Sequence, residues 1–225
     1  MYATLSTLPL FIGMNGEDLV EIIHHEKVGV DTLEENALMA VQGDSCNRLH
    51  ILMRGTLSFT TTTTDGRLAA TETAAAPLLL EPEILYGIQR TWSSTIRAKE
   101  ECWLLVMDKS SVTRLISRYE IFRLNLLNTL CSLAARRRQA LWQSPAVDGS
   151  RRLLNFLTSH TLFPHGEVHF NTQMQHLGEC LGVSRKLVGQ QLAELQSKGL
   201  LTYSRQEITI PDLDKAIHYI HGTTA

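Results

Sequence analysis

At 225 residues the chain suits one large or two small domains, each able to bury a core. A formal net charge of −2 excludes a protein that holds nucleic acid by bulk attraction, so such binding would need a local basic face. The four cysteines, Cys46, Cys102, Cys131 and Cys180, form no C-x-x-C pair. This argues against a zinc ribbon, an iron–sulfur cluster or a secreted disulfide framework. The opening Met1-Tyr2-Ala3-Thr4-Leu5-Ser6 lacks a basic n-region, and no apolar run is long enough to span a bilayer. A cytoplasmic location is expected.

Asn15-Gly16-Glu17-Asp18 followed by Leu19, Ile22 and Ile23 predicts a helix start, with Asn15 as cap and acids where the helix dipole favours them. His24-His25 ends it. Adjacent histidines on a helix diverge by about 100°, so a surface or capping role is expected rather than a shared metal.

From Val28 to Met107 the pattern changes to short apolar runs punctuated by turns. Strands are predicted at Leu38 to Val41, Leu49 to Met53, Leu57 to Thr60 and Cys102 to Met107, with turns at Gly43-Asp44, Arg54-Gly55 and Asp65-Gly66. Many short strands at this rhythm imply a β-roll or jelly roll. The threonine run from Thr60 to Thr64 suits the exposed edge of a hairpin. A rival reading is a ligand-binding β-roll module or cupin-like enzyme with an incidental helical hairpin; the strand region holds no His-x-His followed by Glu and a distal His, which weakens the metal-dependent cupin form of it.

Ser111 to Leu141 reads as helix with a break near Ser117-Arg118-Tyr119. Phe122, Leu126, Leu130 and Leu133 form one apolar stripe, and Leu124, Leu127, Cys131 and Ala134 a neighbouring one. So wide a stripe suits a helix that packs on its own roll and on a partner helix. Arg136-Arg137-Arg138 reads as a solvated face near the helix end, or as an approach to DNA or a second subunit. Ser144 to Gly149 is a hinge candidate. Beyond it come a helix from Ser150 to His160, a short strand at Val168-His169-Phe170, and Asn171 or Thr172 as a possible helix cap.

The stretch from Gln173 to Leu201 predicts two helices joined by a turn. Met174, Leu177 and Leu181 recur at helical spacing, Gly178 allows close approach, and Gly182-Val183-Ser184 supplies the break. On the second helix Val188, Leu192 and Leu195 face inward, leaving Arg185, Lys186, Gly189, Gln190 and Glu194 outward. Arg and Gln can make bidentate contacts to guanine and adenine edges. Lys198-Gly199 ends that helix, Leu200 to Ile210 reads as a β-hairpin, and Asp212 onward as one more helix. A hairpin directly after such a helix is a wing.

The segment LGECLGVSRKLVGQQLAELQSKGLL resembles the winged helix–turn–helix of the cyclic-AMP receptor protein/FNR family of bacterial regulators, and the resemblance continues upstream over nearly the whole chain. It implies an α+β protein with an N-terminal β-roll sensor domain (1–118), a long dimerisation helix (119–144) and a C-terminal winged helix–turn–helix (145–225). It also implies a cytoplasmic homodimeric transcriptional regulator, not an enzyme, with Phe122, Leu126, Leu130 and Leu133 at the dimer interface. Double-stranded DNA with a roughly palindromic operator is the expected partner, and RNA polymerase a further candidate. The DNA-contacting candidates are Gln173, Ser184, Arg185, Lys186, Gln190 and, on the wing, Arg205. By position Arg185 matches the family's guanine-reading arginine, Lys186 replaces an acidic cytosine reader, and Gln190 replaces a second arginine. Gln191 stands where relatives usually place an apolar residue.

The sensor departs most from the family pattern. Nucleotide binders place a Gly-Glu-Leu turn and an Arg-Ser or Arg-Ala pair around phosphate and ribose. Here Glu83 is kept, Pro82 replaces the glycine and removes a donor, and Trp92 or Ser93 falls where the phosphate-binding arginine should be. Glu83, Arg90, Trp92 and Ser93 are the effector-pocket candidates, with Arg90 able to substitute only in a reshaped loop and Glu83 lacking an evident arginine partner. A phosphate buried without a cation is costly. The expectation is therefore operator binding without cyclic nucleotide and a pocket filled by its own side chains or by another ligand. No cofactor is expected, since iron–sulfur and haem signatures are absent. Regulation by amount, another small molecule or a thiol is open, with buried structural roles expected for Cys102 and Cys131.

Overall fold

The computed structural model describes residues 5–26, 28–141 and 148–221. They group into two compact units, one of residues 5–57 and 75–141, the other of residues 58–74 and 148–221.

The first unit opens with α1 (Gly16–His25), capped as expected by Asn15, whose side chain accepts the Asp18 N–H at 2.8 Å. Strands β1 (Val28–Leu33), β2 (Leu38–Ala40) and β3 (Arg48–Arg54) follow, and the chain then enters β4 (Thr56–Thr62), which from Ser58 on belongs with the next strand to the second unit. After β5 (Leu68–Ala75) come β6 (Leu78–Leu80), the one-turn helix α2 (Glu83–Tyr86), β7 (Thr95–Ala98) and β8 (Cys102–Asp108). Helices α3 (Lys109–Arg118) and α4 (Glu120–Leu141) break at Tyr119, where the sequence places the break.

The main sheet of this unit runs β1-β8-β3-β6, antiparallel throughout, and β2 pairs with β7. Alternation along β3 and β8 sends Leu49, Ile51, Leu105 and Met107 to the helical side. There they meet Leu19 and Ile22 of α1, Val112 and Leu115 of α3, and Phe122 and Leu126 of α4. The β3–β4 turn needs Gly55: its φ is +96°, and a Cβ there would lie 2.6 Å from the Glu101 carbonyl.

This core corrects the expected dimer seam. Phe122 is fully buried and Leu126 nearly so within their own subunit, Phe122 edge-on to Phe11 at 5.3 Å, while Leu130 and Leu133 are half-buried. The neighbouring stripe, Leu124, Leu127, Cys131 and Ala134, is the exposed one. Cys131 is therefore not the buried structural cysteine expected. Cys102 is, with its thiol donating to the Thr56 carbonyl and burial raising its pKa.

In the second unit, α5 (Gly149–Thr158) is capped by Asp148, β9 (Val168–Thr172) leads into α6 (Met174–Leu181) and α7 (Arg185–Ser197), and β10 (Thr202–Ser204), β11 (Glu207–Ile210) and α8 (Leu213–His221) complete it. The hinge candidate lies mostly outside the described residues, which resume at Asp148.

Nothing in the sequence pattern marks the 58–74 hairpin as part of this unit, yet it belongs here. The sheet order here is β10-β11-β9-β5-β4, with Ala70 opposite Phe170 and Glu72 opposite Val168. Leu68 and Ala70 join this unit's core beside Leu153, Leu157, Leu177, Val188 and Leu192, and Phe59 packs edge-on to Phe163 at 5.0 Å. The threonine run is therefore not a bare edge: Thr60 and Thr71 hydroxyls hydrogen-bond across the hairpin at 3.0 Å. Glu72, 2% exposed, accepts the Leu162 and Phe163 N–H groups at 2.8 and 3.0 Å. Desolvation raises its pKa against those two bonds.

Candidate nucleic-acid interface and sensor recess

The helix–turn–helix is fixed by three local devices. Gly182 adopts φ +67° after α6, a conformation a β-carbon resists. Gly178 lets the turn close, since a Cβ there would sit 2.7 Å from the Val183 carbonyl, while the Val183 N–H returns to the Gly178 carbonyl at 2.9 Å. Ser184 caps α7 by accepting the Leu187 N–H at 3.3 Å. At the start of α6 the cap position is Gln173, without a side-chain cap bond, rather than Asn171 or Thr172. The Thr172 hydroxyl instead donates to the Arg67 carbonyl.

Val188, Leu192 and Leu195 anchor α7 in the core. That leaves Ser184, Arg185, Lys186 and Gln190 exposed together along one end of the helix, with Gln173 exposed at the start of α6. The first turn of α7 carries no acid and two cations, against the helix dipole. An arrangement unfavourable to the helix alone becomes favourable when a polyanion is bound. Arg205 is exposed at the wing tip with φ +26°. Glu194, read as facing outward, is engaged by the Ser150 hydroxyl and by Lys198, which lowers its pKa. Gln191 is 8% exposed; its Oε1 is buried without a partner among the described residues, and its amide nitrogen crowds Gly149.

In the first unit the effector candidates separate. Trp92 is 6% exposed and lies 5.4 Å from the His50 ring, whose pKa burial and the Arg48 charge depress to about 4. Arg90 is exposed. Glu83 does have an arginine partner, contrary to the sequence reading: Arg137 of α4 donates to its Oε1 at 2.8 Å. That signal was present in the arginine run but needed the packing of α4 to be seen. Glu81, which no sequence motif marks, joins the recess as well. Its two carboxylate oxygens accept the Ser93 N–H and the Ser94 hydroxyl, each at 2.8 Å.

The family model for the cyclic nucleotide-binding domain matches residues 30–119, and that for the Crp-like helix-turn-helix domain matches residues 151–215. No curated protein matches. Among solved structures, the chain is similar to the catabolite activator protein of Thermus thermophilus at 18% identity and a TM-score of 0.50, covering 96% of this chain and 100% of that one. A protein from Eubacterium rectale described as a transcriptional regulator of the crp/fnr family gives 19% and 0.51 over 95% of this chain and 98% of its own. The sensor domain of the regulator DNR from Pseudomonas aeruginosa gives 16% and 0.51, covering 65% of this chain and 94% of that one. At such identities the structural likeness shows the fold.

Proposed function

Because the chain belongs to the cyclic-AMP receptor protein/FNR family of transcriptional regulators, we propose that it is a cytoplasmic, homodimeric, sequence-specific DNA-binding regulator that binds its operator without cyclic nucleotide. The carrying observation is the α7 surface, where Arg185, Lys186 and Gln190 stand exposed on a helix whose opposite face is fully anchored. That is the geometry of major-groove reading. Among the described residues no helix is long and apolar enough to cross a membrane. Regulation at a promoter further requires contact with, or exclusion of, RNA polymerase. The reading involves no catalytic step.

Independence from nucleotide is supported by the sensor chemistry. Trp92 or Ser93 falls where the family pattern puts a cation, Trp92 is buried, Glu81 occupies the Ser93 and Ser94 donors, and Glu83 is already paired with Arg137. A nucleotide phosphate entering beside Glu81 would meet a carboxylate that already holds the Ser93 and Ser94 donors.

The test is fluorescence anisotropy on operator fragments recovered from genomic DNA, at several salt concentrations, with and without millimolar cyclic AMP or cyclic GMP. Specific binding that outlasts non-specific binding as salt rises, and that nucleotide leaves unchanged, is the expected result. Arg185→Ala should cost about 1–3 kcal/mol of discrimination at one base pair. Equal losses on all sequences would reduce Arg185 to a phosphate contact, and a micromolar calorimetric isotherm with either nucleotide would overturn the nucleotide-free reading.

A further inference from the structure

The turn between β6 and α2 brings one carboxylate onto two converging donors. Glu81 accepts the Ser93 backbone N–H with one oxygen and the Ser94 hydroxyl with the other, both at 2.8 Å. Ser94 is fully buried. The Ser93 hydroxyl is buried beside them without a partner among the described residues. Glu81 reaches this position with φ +34°, a backbone region that non-glycine residues rarely adopt. Its carboxylate has no ion pair among the described residues, so neutral donors alone hold it.

Two donors aimed at the two oxygens of one carboxylate make an oxyanion site, and the lack of an ion pair to that carboxylate among the described residues sets its selectivity. A singly charged, flat carboxylate is satisfied by such donors, whereas a phosphate ester brings more oxygens and more concentrated charge than they can meet. We propose that the Ser93 amide and Ser94 hydroxyl form a small-carboxylate site occupied in cis by Glu81, so that the sensor unit carries its own tethered ligand. A covalently attached occupant has a fixed effective concentration. The recess is therefore filled whatever the solute composition of the cell. Next to it, Glu83 is held to α4 by Arg137. This deepens the nucleotide-free reading and rests on it.

The test uses the full chain with Glu81→Ala and sodium formate as the probe, against sodium chloride at equal ionic strength. Glu81→Ala should melt below the wild type, and formate should raise its melting temperature by about 2–4 °C through selective binding to the folded state. Formate should leave the wild type where chloride leaves it. Equal effects of formate and chloride on the variant, or equal formate shifts in variant and wild type, overturn the proposal. Should Glu81→Ala fail to fold, Glu81→Gln keeps the size but turns one acceptor into a donor facing the recess. Hydrogen exchange at the Ser93 amide should then quicken by about tenfold or more, the loss of one hydrogen bond's protection, and unchanged protection would sink the idea. All these measurements are made without nucleotide. A cyclic-nucleotide isotherm in the wild type would therefore overturn the parent reading separately from the formate result.

Discussion

Arg137, near the end of α4, donates to Glu83 on α2 across 2.8 Å, tying the long helix to the turn where the family pattern places its nucleotide. The pair is partly exposed, with side-chain exposures of 64% and 31%, so its worth is modest. A double-mutant cycle of Arg137→Ala and Glu83→Ala should give a coupling of about 0.5–1 kcal/mol in denaturant unfolding, shrinking as salt rises. A coupling of zero at low salt would mean that the contact does not hold the helix in solution.

Glu72 makes the second unit's stability depend on pH. Desolvation raises its folded pKa above the ordinary carboxylate value of 4.5, so between those two pKa values the folded state binds more protons than the unfolded state. The stability contributed by this group is then fully present below the unfolded pKa and is lost as pH rises through the raised folded one. The stability advantage of wild type over Glu72→Ala should accordingly be larger at pH 4 than at pH 7 by chemical denaturation. An advantage that grew with pH would show that the two backbone N–H groups outweigh desolvation.

Gln191 is a buried polar side chain whose Oε1 finds no partner among the described residues. Replacing an unsatisfied buried amide with a similarly sized apolar group removes a desolvation cost. Gln191→Leu should therefore stabilise the protein by about 1 kcal/mol, seen as a rise of about 2–4 °C in melting temperature. A fall would indicate that its amide nitrogen is held near Gly149 by a contact leucine cannot replace.

The exposed stripe of α4, with Leu124 at 47% and Leu127 at 49% exposure, followed by Cys131 and Ala134, has the alternating three- and four-residue spacing of a helix–helix seam. Charged replacements at Leu124 and Leu127 should yield folded monomers with weak operator binding. The same replacement at Leu126 should unfold the roll. Sedimentation combined with circular dichroism separates these outcomes, and dimers that survive Leu124→Glu with Leu127→Glu would place the subunit contact elsewhere. If the helices pair as expected, the two readers should address half-sites about 34 Å apart.

What the sequence alone determined is local. Asn15 and Ser184 announce their helices because capping is a matter of three residues, Gly178 and Gly182 mark the tight turn, and the period of Val188, Leu192 and Leu195 fixes which side of α7 faces outward. Those features made the reading helix and the glycine-bounded strands legible without coordinates. Tertiary structure decided what depends on distant segments meeting. Two apolar stripes on α4 look equivalent in sequence; only the packing of α1, β3 and β8 determines that Phe122 and Leu126 are consumed inside the subunit. The partner of Glu83 lies 54 residues away, and the 58–74 hairpin joins a strand about a hundred residues later. Glu81 was invisible as a site residue because a carboxylate beside a proline has no pattern of its own. Its role exists only where the fold turns Ser93 and Ser94 back onto it.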